Sequence, residues 1–238
     1  SAGNFLKSKF ETIKTVCPSF SNPSLRVLCK PLYSPINKTR INDYICFKNN
    51  IFIVILTNKK YKIGLIGYRL SGGGSDKVMA NLSVFFAKNN IDVHIIIVLD
   101  EVSYPYSGKL VNLGLLKNKG NGIFNKIKRL ISLRKYINDN NFDFIIDFRF
   151  RTKVIQELII ARFLYKTKTI FTVHSFLIDH YMPNFSWLTR LMYNHCYANV
   201  AITDEMEELI VKKHQLKNVV TIPNPINLEE IHEKYNES

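Results

Sequence analysis

The sequence predicts an α/β fold, with a doubly wound, mostly parallel, Rossmann-like sheet over residues 58–226. Two observations lead to this prediction. From residue 60 onwards, short runs rich in β-branched residues alternate with longer segments of helical periodicity. Several of these runs, such as "IDVHIIIVL" at 91–99, are almost continuously apolar, as in strands buried on both faces. Alternation of this kind forms right-handed βαβ units with helices packed on a parallel sheet.

The strands and helices can be assigned in order along the chain. Seven segments predict strands: "YKIGLIGY", "IDVHIIIVL", "KLVNLGLL", "FDFIIDF", "KTIFTVHS", "ANVAIT" and "NVVTIPNP". Five segments predict helices: "SDKVMANLSVFFAKNN", "GIFNKIKRLISLRKYINDN", "RTKVIQELIIARFLYK", "WLTRLMYNHCY" and "DEMEELIVKKHQ". Thr203 and Asp204 open the last helix as capping residues.

The apolar positions of the first two helices predict which side faces the core. In the first helix they are Val78, Leu82, Phe85 and Phe86. In the second helix we expect the inward residues to be Ile123, Ile127, Leu130, Ile131 and Tyr136, with the lysines outward.

The two ends of the chain differ from this domain. Residues 1–57 are basic, contain four prolines and show no sustained period, so we expect an irregular, poorly ordered extension. Residues 227–238 are expected to begin an interdomain linker.

The net charge of +14 raises the question of a nucleic-acid partner. Residues 1–62 carry 11 basic and two acidic side chains, so most of the excess lies there. The predicted domain is only mildly basic, which suits a small anionic ligand or an anionic lipid surface, and we predict no nucleic-acid partner. The four cysteines have no metal-ligand spacing, so they predict neither a zinc site nor a disulfide framework, and a reducing compartment is favoured. We expect no cofactor.

The glycine loop, Gly72–Gly74, is the first candidate site. It lies between a predicted strand and a helix N-terminus, where free N–H groups and the helix dipole favour an anion. Glycine lets a phosphate approach the backbone closely, although a tight turn could also explain it. The loop matches neither the dinucleotide fingerprint nor Walker A.

Further candidates follow other strands, at the edge where parallel sheets bind ligands. His174 can hydrogen-bond a substrate, and His180 follows in the next loop; both could instead be structural. Arg149 and Arg151 could grip an acceptor phosphate, or could pair with neighbouring acids such as Asp147.

The segment 117–135 contains seven basic side chains and no acidic one, together with an apolar stripe. It could rest on anionic lipid, or it could be an ordinary solvated face.

At this point the sequence resembles a family. "GGSDKVMANLSVFFAKNNIDVHIIIV" is similar to the "GG-x-E-R-V…L…L…G-H-x-V" opening of family 4 glycosyltransferases of GT-B fold. Asp76 replaces the usual Glu, and Lys77 the usual Arg. "FTVHS" resembles the family's strand-end His, and "AITDEMEELI…NVVTIPNPIN" resembles the close of its first domain. The resemblance covers about residues 60–230.

The resemblance implies an N-terminal, acceptor-side domain that is inactive alone. In this family a second Rossmann-like domain holds the nucleotide sugar, with its E-x₇-E pair and its Arg/Lys clamp. The implied reaction is retaining hexosyl transfer to a glycan or lipid-linked acceptor, without a required metal. Gly72, Gly73 and Gly74 would lie near the donor phosphates. His174, Arg149, Arg151 and His180 would contact acceptor, with His174 a possible catalytic residue.

We also expect a cytoplasmic protein that takes part in cell-envelope polysaccharide synthesis, peripheral at the inner face of the plasma membrane if segment 117–135 rests on lipid. The alternative from the residues alone is a non-catalytic Rossmann-like module that binds an anionic ligand or partner.

Overall fold

The structure is a computed structural model, which describes residues 45–48, 51–54, 60–117 and 122–225. The chain divides into two units, Ser1–Asn58 and Lys59–Ser238, and each is described by itself. In the first unit, β1 (Ile45–Lys48) and β2 (Ile51–Val54) pair as antiparallel strands. These two strands differ from the irregular backbone expected for residues 1–57. The rest of that extension and the linker expected at 227–238 lie outside the described residues.

The second unit is built on a seven-stranded sheet whose strands are all parallel. The strands in chain order are β3 (Lys62–Gly67), β4 (Asp92–Ile97), β5 (Lys109–Asn112), β6 (Phe144–Asp147), β7 (Lys168–Val173), β8 (Ala198–Ala201) and β9 (Val219–Thr221). Their spatial order is β5-β4-β3-β6-β7-β8-β9, so the order reverses between β3 and β6. The predicted doubly wound, Rossmann-like sheet is confirmed.

Helices connect these strands. They are α1 (Gly74–Lys88), α2 (Ile123–Asn140), α3 (Val154–Ile159), α4 (Ser186–Tyr193) and α5 (Asp204–His214). A π-helical turn, Ile160–Leu164, extends α3, and 3₁₀ turns occupy Leu113–Leu116 and Ile178–His180. Among the described residues, no helix combines the length and the apolar content that crossing a bilayer requires.

Right-handed crossovers place α1 on one face of the sheet and α2 to α5 on the other. A hydrophobic core cluster lies on the second face, and it includes Leu133 and Ile137 from α2, Ile160 and Leu164 after α3, and Met206 from α5. On the first face, α1 buries Val78, Met79, Leu82 and Phe86, whereas Phe85 is only partly buried. Each fully buried side chain of this size contributes about 1.5–3 kcal/mol.

The inward face expected for α2 is wrong at two positions. Ile127 and Ile131 are exposed, and Leu133 and Ile137 are buried in their place. The helix carries apolar residues on two opposite sides, so its periodicity fits either orientation. Tyr136 of α2 contacts the rings of His94 and Phe142, and the side of the helix that carries Tyr136 is the one that faces the sheet.

The helix ends follow local side-chain chemistry. The Thr203 hydroxyl accepts a hydrogen bond from the Met206 N–H, which confirms Thr203 as the N-cap of α5. The predicted strand "KLVNLGLL" ends early, at Asn112, because the Asn112 side chain accepts from the Gly114 N–H and starts a 3₁₀ turn.

Candidate functional site

The candidate site lies at the carboxyl edge of the sheet, where the strand order reverses. The glycine loop follows β3, residues 148–153 follow β6, and residues 174–185 follow β7. In open parallel sheets this switch point is where a crevice forms between diverging loops. Sequence order alone does not place β3 beside β6. In the structure the two strands pair, and Ile66 lies opposite Asp147.

The three glycines of the loop meet three different requirements. Gly72 has a φ of 75°, in the left-handed region that favours glycine. A Cβ on Gly73 would lie 2.9 Å from an Asp76 carboxylate oxygen, so this glycine makes room for that side chain. A Cβ on Gly74, the first residue of α1, would meet nothing within 4 Å. Gly74 is therefore the one with an open side and no steric reason to be glycine.

Asp76 and Arg69 set the charge of the loop. The Asp76 carboxylate is buried beside the N-terminus of α1, and Arg69 Nε lies 3.5 Å from it. Burial raises the pKa of Asp76, and Arg69 and the Gly73 N–H only partly offset this effect. Arg69 also forms a 2.7 Å ion pair with Glu101. Sequence reasoning did not single out Arg69. The signal that could have found it is its position, two residues after the end of β3.

The loop after β4 supports the glycine loop from the side. Leu70 donates its N–H to the Glu101 carbonyl at 2.9 Å and accepts from the Ser103 N–H at the same distance. Leu70 and Val102 form an isolated parallel bridge beyond the sheet. These bonds extend the β3–β4 pairing past the strand ends and hold the glycines at the rim.

The charged residues after β6 form a closed network. Arg149 Nη2 lies 2.7 Å from Asp147 Oδ2 and 3.0 Å from Glu157 Oε2, and Tyr165 donates its hydroxyl to Asp147. All of these side chains are buried. Burial alone would raise the pKa of Asp147, but the Arg149 guanidinium outweighs it and holds that pKa below its ordinary value.

Arg151 is buried too, with only 1% of its surface exposed. Its guanidinium donates to three backbone carbonyls, those of Tyr181, Arg149 and Thr172, at 2.9–3.2 Å. The rings of Phe171, Tyr181 and Tyr193 surround it at 5.0–5.5 Å. Both arginines are thus engaged inside the protein, and contact with an acceptor phosphate has no support from their geometry.

His174 follows β7 and has no hydrogen bond of normal geometry to either ring nitrogen among the described residues. Its ring stacks on Phe148, with centroids 5.6 Å apart. Burial lowers the pKa of His174 to about 4, and the positive charge of Arg151 adds to this effect. The nearby Asn224 side chain acts in the opposite direction and raises the pKa. His174 is therefore neutral at neutral pH, with one donor and one acceptor nitrogen. Apart from the nearby Asn224 side chain, the described structure offers these nitrogens no partner, and an unsatisfied buried nitrogen costs free energy unless a ligand or water binds it.

His180 lies at the exposed rim of the same loop. Its ring packs edge-on against Phe150, with centroids 6.0 Å apart, and its carbonyl accepts from the Arg151 N–H. The Tyr68 hydroxyl donates to the Phe150 carbonyl at 3.0 Å, which links the β3 and β6 loops. The structure thus brings His180, Phe150 and Tyr68 together. Sequence reasoning did not single out the two aromatic residues, because apolar rings at strand ends usually enter the core.

The chain matches a known protein family over most of its length. The family model described as Glycosyltransferase Family 4 matches residues 72–230, well over half of the chain. The chain belongs to glycosyltransferase family 4. The resemblance read from the motifs is confirmed, because the matched range begins in the glycine loop and includes His174 and the "IPNP" turn.

Solved structures give distant likenesses to this family 4 chain. A glycosyltransferase from Rickettsia africae ESF-5 is 16% identical with a TM-score of 0.47, covering 75% of this chain and 50% of its own. The lipopolysaccharide outer core galactosyltransferase WaaB is 16% identical with a TM-score of 0.44, covering 70% and 46%. Anabaena HepE, solved in complex with UDP-glucose, is 9% identical with a TM-score of 0.47, covering 74% and 50%. No curated protein matches the sequence.

The family 4 chain thus spans about half the length of these solved structures. Among its described residues, no group of three or more His, Cys, Asp or Glu side chains is placed to hold a metal ion.

Proposed function

We propose that the chain is the acceptor-side domain of a retaining, nucleotide-sugar-dependent hexosyltransferase. The observation that carries the proposal is the glycine loop, which leaves Gly74 open at the N-terminus of α1 and at the sheet's switch point. Because the chain is a family 4 member, we expect a second domain to hold the donor across this crevice. On that reading, the chain by itself does not turn over.

The glycine loop supports departure of the nucleoside diphosphate in this proposal. Negative charge develops on the leaving phosphate, and the N–H groups at the start of α1 point towards such a charge. Arg69 adds a partly exposed cation at the same rim and offsets the Asp76 carboxylate. No metal is required, since backbone dipoles and arginine supply the stabilisation.

His174 is proposed to bind a substrate hydroxyl as a neutral imidazole. A ring with a pKa of about 4 is a weak base, so hydrogen bonding suits it better than proton abstraction. His180 and Phe150 provide an accessible edge where the acceptor sugar can stack and hydrogen-bond. We infer that the acceptor is a glycan or a lipid-linked acceptor of cell-envelope polysaccharide synthesis. The enzyme would then work in the cytoplasm, with segment 117–135 as the contact with the inner face of the plasma membrane; residues 118–121 of that segment lie outside the described residues.

A hydrolysis and transfer screen with nucleotide sugars tests the proposal. The assay compares this chain with the longest protein its gene encodes, and includes Gly74→Val and His174→Gln in both. We expect turnover in the longer protein alone, reduced in both variants. A matched control is Leu209→Ser, an exposed position on α5 away from the site.

Turnover that neither variant changes would remove the site assignment. Binding of an anionic ligand without turnover by either protein would favour the non-catalytic module instead.

A further inference from the structure

Helix α2 has a second apolar side that faces away from the protein. Phe124, Ile127 and Ile131 are 83%, 47% and 62% exposed, whereas Leu133 and Ile137 on the opposite side are buried. Spacings of three and four residues place the three exposed side chains on one stripe. An exposed apolar stripe on a helix whose other side already packs on the core marks a surface for a partner.

Positive charge surrounds this stripe. Lys126, Lys128, Arg134 and Lys135 are all exposed, and α2 has no acidic residue before Asp139. At 100° per residue, Lys128 and Lys135 border one side of the stripe and Arg134 borders the other. Apolar residues edged by lysine and arginine are typical of helices that lie in a lipid headgroup region.

Helix α3 and its π turn repeat the pattern. Ile155, Ile159 and Phe163 recur every four residues and are exposed, with Ile155 at 77%. The charged side chains exposed beside them are Lys153, Arg162 and Lys166, all basic. The acidic residue of this helix, Glu157, points inward to Arg149 instead. Because Ile160 and Leu164 share a core with Leu133 and Ile137, α2 and α3 belong to the same layer.

We propose that an anionic lipid bilayer docks on this basic apolar surface. The surface is defined by Phe124, Ile127 and Ile131 of α2, together with Ile155, Ile159 and Phe163 of α3 and its π turn. The proposal rests on the proposed function for the identity of the acceptor and extends the contact beyond segment 117–135. Charge complementarity selects the occupant, because the exposed charge of both stripes is positive. A second copy that docked through the same surface would bring like charges together. The acidic first turn of α5 lies on a different helix, outside this surface, and does not neutralise it.

Vesicle sedimentation tests the surface directly. The chain is mixed with vesicles of phosphatidylcholine alone, or of phosphatidylcholine with phosphatidylglycerol. One variant combines Phe124→Ser and Ile131→Ser, a second combines Ile155→Ser and Phe163→Ser, and a third combines Lys128→Glu and Lys135→Glu. The matched control combines Leu209→Ser and Val211→Ser, two exposed apolar residues of α5. Thermal unfolding checks that each variant folds.

We expect binding to the anionic vesicles alone, reduced about tenfold or more by each of the three surface variants and unchanged in the control. Unchanged binding in the second variant overturns the two-helix surface. An equal loss of vesicle binding in the control overturns the membrane proposal altogether. So does a chain that binds no vesicles but forms dimers that the surface variants dissociate.

Transfer to a water-soluble acceptor separates this inference from the proposed function. The surface variants should retain such transfer in the longest encoded protein. Vesicle binding without any transfer removes the proposed function and leaves the docking surface. Transfer without vesicle binding removes the docking surface and leaves the proposed function.

Discussion

Two strand ends meet at the switch point of this sheet, and they use opposite chemistry. After β3, the glycine loop carries small residues and leaves Gly74 open. After β6, Arg149 and Arg151 look like a phosphate clamp in the sequence, yet both are enclosed by acids, carbonyls and rings. The difference teaches that charged side chains at a strand end readily pair with other groups of the protein, whereas glycines, which lack side chains, leave room for a ligand.

The largest expected effect is at the closed strand end. Arg149→Met leaves Asp147 and Glu157 buried close together without their cation. We expect the free energy of unfolding to fall by about 3–5 kcal/mol, as for other broken buried ion pairs. Chemical denaturation measures it, with Arg69→Met as the exposed-arginine control. An Arg149→Met protein as stable as wild type, with weakened acceptor use, would falsify the structural role given to Arg149.

The next effect concerns pH and His174. Its pKa is about 4 in the folded protein and 6.5 ordinarily, so the unfolded state binds a proton first as pH falls. The His174 contribution is therefore complete above pH 6.5 and is lost between pH 6.5 and 4, by about 3 kcal/mol in total.

Comparing wild type with His174→Gln isolates this contribution, because the lowered pKa values of buried His94 and His214 act in both proteins. Denaturation at a series of pH values gives the difference. NMR titration of the His174 ring checks the midpoint directly, and a midpoint near 6.5 would mean that the ring is not buried in solution.

The glycine loop should give a smaller effect on stability. Gly72→Ala forces a left-handed backbone on alanine and is expected to cost about 1–2 kcal/mol. Gly74→Ala places alanine at a helix position with open space, so stability should stay the same or rise slightly. Denaturation of both variants checks this contrast. Equal losses at the two positions would show that Gly74 also has a steric role.

The smallest expected effect on stability is at Arg69. This side chain is partly exposed and its ion pair with Glu101 is accessible to salt. Arg69→Met also removes the cation beside Asp76, but burial already raises the pKa of Asp76 and a proton can replace that cation, so the loss of stability should be small. In a nucleotide-binding assay at low salt, the same variant should bind a nucleoside diphosphate more weakly, and added salt should shrink the difference. Identical binding of the two proteins at low salt would exclude Arg69 from the site.

The strands and most helix faces could be predicted because each depends on local patterns of apolar residues. The apolar run "IDVHIIIVL" requires burial on both faces wherever the strand lies in the sheet, and β4 fulfils it. The face of α2 could not be predicted, since Ile127 and Leu133 lie on different apolar sides and periodicity favours neither. The strands β1 and β2 were missed for another reason, as the prolines before them suggested an irregular segment.

The candidate site shows the same division. The glycines and His174 are recognisable as family motifs, and their place after strands follows from the chain order. Whether Arg149 and Arg151 face a ligand depends on Glu157, Thr172 and Tyr181, which approach from other elements. Local patterns thus suffice for the Rossmann-like alternation and for family membership. Arg149 pairs locally with Asp147, two residues away. The enclosure of Arg151 and the open side of Gly74 arise from long-range packing, because the groups around each position come from distant parts of the chain.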